Sequence, residues 1–202
     1  MKTVQSIIAG IALATAASTS SAALINFTGT IDYHNDVVHT YFTLDQDATN
    51  VRVWTDSYED GQNFDPITAL WKADGTRLQQ NDDNASINPG TQTRWDSGFL
   101  LADLAAGDYI FTVATYNNFS LGTNLSDGFQ FDGEAAIALA DWDQPASRRG
   151  MGPNWSVWLD GVDSASNPSD PGVAVPEPSS FALIGLGMIG LGLARRRKQA
   201  NA

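Results

Sequence analysis

The chain has 202 residues, 11 basic against 23 acidic side chains, a formal net charge of −12 and no cysteine. That length holds one ordinary domain with appendages. The missing cysteine excludes a disulfide scaffold, a thiolate metal site and a cysteine nucleophile, and the scarcity of Lys and Arg excludes a nucleic-acid partner.

The acidity is segregated. Between Leu24 and Asp170 there are six basic residues and 22 acids, a net −16, and all but Glu59 and Glu134 of those acids are Asp. Aspartate favours turns and caps over helix interiors, so the middle of the chain predicts many short elements joined by polar turns.

In chain order, residues 1–23 read first as a secretory signal peptide, an N-terminal signal helix. Lys2 gives the positive start, residues 7–14 the apolar stretch, and Ser20-Ser21-Ala22-Ala23 the small-residue cleavage region.

Residues 24–163 then read as one all-β domain, a single jelly-roll-like β-sandwich. The predicted strands are 24–31, 37–44, 51–57, 67–72, 77–80, 98–101, 109–115, 135–140 and 155–159. Alternating Val38, Thr40, Phe42 and Leu44 mark a half-buried strand, and the apolar run from Tyr109 to Thr115 one buried on both faces. Ala73-Asp74-Gly75-Thr76 predicts a hairpin turn.

A Pro/Ser/Asp/Gly linker is expected over 164–174. Beyond it lie Val175-Pro176-Glu177-Pro178, an uncharged stretch, and Arg195-Arg196-Arg197-Lys198. As a helix, residues 179–194 would rise about 24 Å, short of a hydrocarbon core of about 30 Å. It could still span as a short transmembrane helix by thinning the bilayer, with the basic cluster held on the cytoplasmic side.

Residues 175–199 resemble the PEP-CTERM sorting signal of exported Gram-negative proteins, with the Pro-Glu-Pro motif, Gly-rich apolar helix and basic cluster in the same order. The resemblance implies that the partner is an exosortase, a membrane-embedded transpeptidase-like enzyme that processes the chain near Pro176-Glu177-Pro178. The precursor would be anchored in the inner membrane and the mature protein sorted to the envelope or extracellular matrix. The competing reading, a GPI signal, should end in its apolar tail without four basic residues.

A second resemblance covers most of Phe27–Val162. The run Phe64-Asp65-Pro66-Ile67-Thr68-Ala69-Leu70-Trp71-Lys72-Ala73-Asp74-Gly75, followed by Leu104-Ala105-Ala106-Gly107-Asp108-Tyr109, is similar to the pre-peptidase C-terminal (PPC) domain. It implies a secreted β-sandwich, with calcium-binding modules among its relatives. The insertion 85–92 and the loop 141–152 depart from the pattern, and no protease domain accompanies it.

Two sets of residues are candidates for binding. Asp65, Asp82, Asp83 and Asn84 converge if the intervening strands form a hairpin, and Asp carboxylates with loop oxygens suit one Ca²⁺. The alternative is that these residues, like Asp127 and Asp132, cap turns. Trp95 and Trp142 sit among charged loop residues, where an indole beside carboxylates suits a sugar; packing against the core is the alternative. Trp155 and Trp158, three apart in the last strand, should face opposite sides.

No motif for nucleophilic, phosphate-loop or zinc chemistry occurs, and His34 and His39 stand in no metal-ligand spacing. The expectation is therefore a protein that is not an enzyme and requires no cofactor beyond a candidate Ca²⁺. It would associate with exopolysaccharide or envelope proteins. A secreted hydrolase of extracellular polymer and a ligand-free structural spacer are the alternatives.

Overall fold

The structure is a computed structural model that describes residues 24–144 and 150–169. The signal segment 1–23, the motif at 175–178, the helix at 179–194 and the cluster at 195–198 lie outside the described residues.

Among the described residues, nine strands form two antiparallel sheets: β1 (Ile25–Thr30), β2 (Val37–Leu44), β3 (Ala48–Thr55), β4 (Pro66–Lys72), β5 (Arg77–Asn81), β6 (Gly98–Leu104), β7 (Gly107–Thr115), β8 (Asn154–Asp160) and β9 (Ser164–Ser166). One sheet runs β1-β8-β3-β6 and the other β5-β4-β7-β2-β9. Apart from β9, every connection except β4–β5 crosses from one sheet to the other, which is the strand order of a jelly roll.

Alternation in the sequence explains the layering. Ile25, Phe27, Val51, Val53, Phe99, Val157 and Leu159 of the first sheet meet Val38, Phe42, Leu70, Phe111 and Val113 of the second in one core. Strands β4 and β7 lack a polar face because both their sides are covered: Ala69, Trp71, Ile110 and Ala114 pack beneath Phe129 of the long β7–β8 connection. Phe131, Leu139 and Trp142 of the same connection enter the main core.

The predicted hairpin is present between β4 and β5, with Gly75 at φ +86° and the Asp74 carboxylate accepting the Thr76 N–H at 2.8 Å. Two expectations are corrected. Residues 135–140 form no strand; Ala138 makes a single bridge to Tyr33 while Leu139 anchors the loop in the core. The linker does not begin at 164, because Ser164–Ser166 pairs with Tyr41–Thr43 at the edge of β2 and Asn167, buried, donates to Thr40 Oγ1 at 2.8 Å.

Candidate functional site

The antiparallel β4–β5 pairing, with Thr68 opposite Asn81, brings the start of β4 beside the end of β5. Asp65 immediately precedes β4, and Asp82 and Asp83 immediately follow β5. One oxygen from each of the three carboxylates lies within 4.8 Å of the others.

Asp65 is only 3% exposed, and its Oδ1, like Oδ1 of Asp82, is buried without a hydrogen-bond partner. The backbone around it is fixed: its N–H donates to Gln144 Oε1 at 3.3 Å and its carbonyl accepts the Tyr116 N–H at 2.8 Å. Burial, and then the charges of Asp83, Asp82 and Asp96, push Asp65 up to about 8, against the opposing pull of Arg94. Burial followed by Asp83 raises Asp82 to about 6. Burial also raises Asp83, offset by Arg94. Three carboxylates gathered with too little positive charge need protons or a cation.

Asp96, beside them, has a different task. It is fully buried, and its carboxylate accepts the Thr93 N–H at 2.7 Å, the Tyr58 N–H at 3.1 Å and the Thr55 hydroxyl at 3.2 Å. It braces the loop before β6, and no sequence signal distinguished it from the other acids. Asn84 turns its Oδ1 to its own loop, accepting the Ser86 N–H and hydroxyl at 3.2 and 2.6 Å. Asp127 and Asp132 cap turns, Asp127 accepting the Thr123 and Asn124 N–H groups and Asp132 that of Phe129.

Neither loop tryptophan is fully exposed. Trp142 is 7% exposed and packs against His34 and Phe131, with ring centroids 5.4 and 6.0 Å away. Its Asp neighbours made the segment look polar, but the indole turns inward. Trp95 is half-buried, with the Arg94 guanidinium 4.1 Å from its ring centroid and Tyr58 at 5.0 Å. His34 is a satisfied core residue, its Nδ1 accepting the Ile137 N–H at 3.2 Å and its Nε2 lying 3.3 Å from Glu134.

Comparison with known families bears on the end of the chain. Residues 174–198 match the PEP-CTERM protein-sorting motif. The match contains Val175–Pro178 and Arg195–Lys198, and it implies an exported protein whose membrane-anchored precursor is sorted by an exosortase to the envelope or extracellular space. No curated protein matches the chain. Among the described residues, no helix is long and apolar enough to cross a membrane.

The sorting signal makes a direct prediction. Mass spectrometry of the mature termini, in cells with and without the sorting enzyme, should find Arg195–Lys198 removed only where the enzyme is present. An intact tail on the mature protein in enzyme-containing cells would overturn the assignment.

Proposed function

We propose that the protein is a non-catalytic envelope or matrix component whose PPC-like sandwich binds extracellular polysaccharide and is braced by one calcium ion. The observation that carries the calcium part is the meeting of Asp65, Asp82 and Asp83, with two buried carboxylate oxygens left without partners. Calcium accepts six to eight oxygens in irregular geometry. Asp65, Asp82 and Asp83 would supply the carboxylates, with water completing the shell.

The placement of the carboxylates at the root of a hairpin suits bracing: a cation would pin the start of β4 to the end of β5, next to the loop that Asp96 organises.

Titration calorimetry of the exported protein at pH 7.5, after chelation, tests this. We expect one calcium per chain, and loss of at least about tenfold in affinity, or 1.4 kcal/mol, on Asp82→Asn or Asp83→Asn. Asn84→Ala should leave affinity within about twofold. No heat of binding at millimolar calcium would refute the calcium site.

A further inference from the structure

The outer face of the β1-β8-β3-β6 sheet carries a groove whose chemistry neither the cation site nor the sorting signal uses. Register builds it. Trp158 of β8 stands opposite Asn26 of β1 on one side and Trp54 of β3 on the other, and the next rows pair Ser156 with Thr28 and Asn154 with Thr30. Side chains directly opposite one another share a face, so one tryptophan row is followed along the strands by two rows of hydroxyls and amides.

Trp158 lies nearly parallel to Trp54, with ring centroids 6.1 Å apart and an interplanar angle of 10°. The Arg52 guanidinium sits 5.3 Å from the Trp54 ring centroid and is itself held by Asp160. Trp54 is fully buried beneath these neighbours, while Trp158 keeps part of its surface open. Beside it is a groove of about 510 Å³, whose lining includes Thr30, Asp56, Ser57, Glu59, Asn154 and Trp158; this lies within the ~300–1,000 Å³ range of small-molecule sites.

A second observation points to a missing partner. Ser57 Oγ and Trp158 Nε1 are buried without hydrogen-bond partners, and both residues line this groove. Ser57 is 4% exposed. Folded proteins leave few buried polar atoms unmatched, and two beside one groove call for a ligand or the water that accompanies it.

We infer that this groove is a polysaccharide-binding site, and that its ligand is a neutral hexose polymer. The inference rests on the polymer-binding reading above and names its face and ligand class. A pyranose presents axial C–H groups that lie against an indole face, and hydroxyls that both donate and accept. The Trp158 indole N–H wants an acceptor, and the Asp56 and Glu59 carboxylates want donors; a hydroxyl-rich ring supplies both. The same carboxylates, on a strongly acidic domain, repel a polyuronate. The edge position of β1 lets a long chain enter and leave.

Affinity electrophoresis of the exported protein through gels containing an α-glucan, a β-glucan, a galactomannan or alginate, with tryptophan fluorescence, tests the site. Retardation is expected in at least one neutral gel and not in alginate, with quenched fluorescence. Trp158→Ala should weaken binding about tenfold, about the worth of one good aromatic contact, and Trp158→Phe should restore part of it. Should Trp158→Ala fail to fold, Glu59→Gln combined with Ser156→Ala carries the test. Unchanged binding in the folded variants overturns the groove while the polymer reading stands. Retardation by alginate alone overturns the neutral ligand, and no retardation in any gel overturns both. Release of reducing ends from a bound polymer would replace binding by hydrolysis.

Discussion

Gly98→Ala is expected to lower the melting temperature by about 10 °C or more, the largest effect we foresee for removing no interaction at all. Gly98 opens β6 opposite Trp54 with φ +154°, a conformation that side chains disfavour. A Cβ there would lie 2.5 Å from the Val53 carbonyl oxygen and 2.6 Å from the Trp54 Cα. Both obstacles are backbone atoms of β3 in the middle of a sheet, so neither yields without opening the β3–β6 ladder. The surroundings are equally fixed: the Gly98 carbonyl accepts from Asn81 Nδ2 at 3.1 Å, and Ser97 bonds to Thr55 and Thr68. Strain of this kind costs about 3 kcal/mol or more, which for a domain of this size is about 10 °C. Thermal and urea unfolding of the variant measure it; a loss under about 1 kcal/mol would show that β3 and β6 can separate locally.

In chelator, the domain should lose stability as pH rises, and calcium should reverse the trend. Asp65 ionises at about 8 in the fold against 3.8 in an ordinary setting, and Asp82 at about 6. Between the two values the unfolded chain has released a proton that the fold still holds. Stability therefore falls as pH climbs through that window, is greatest from these groups below about 4, and has lost their contribution above about 8. Calcium takes the place of the protons. At pH 8, with the ion a hundredfold above its dissociation constant, the gain is about 2.7 kcal/mol, again about 10 °C. Asp65→Asn should abolish the calcium shift and flatten the pH dependence in chelator. Identical melting curves at pH 8 with calcium and with chelator would refute the coupling.

Much of the frame is legible in the sequence because its signals are local. Val37–Leu44 alternates cleanly and forms a strand with those bounds, and Asp74-Gly75 dictates the hairpin that sets Asp65 against Asp82 and Asp83. What is not legible depends on remote partners. Ser164–Ser166 has no apolar pattern; β2 recruits it through backbone pairing. The run from Ala135 to Ala140 looks apolar enough for a strand, yet it makes only the Tyr33–Ala138 bridge and only Leu139 is deeply buried. Trp142 carries aspartates on both sides and still turns inward, because Phe131 and His34 leave a gap that an indole fills. Asn84 shares the run with Asp82 and Asp83 but closes a turn of its own. The opposite facing of Trp155 and Trp158 follows from strand period alone, whereas the groove beside Trp158 requires the register of three strands.

The ninth strand has a mechanical consequence. It lies outside the eight-strand frame, at the sheet edge, and is held to β2 by three residue pairs and by Asn167. Any tension on the C-terminal tail, from membrane or matrix, enters the domain there. Six residues lie between Ser169 and Pro176, a leash of at most about 25 Å over seven steps, so little slack precedes the load. β9 can peel from β2 without breaking any pairing among the other eight strands, lengthening the tether while the sandwich stays folded. It would serve the sandwich as a fuse.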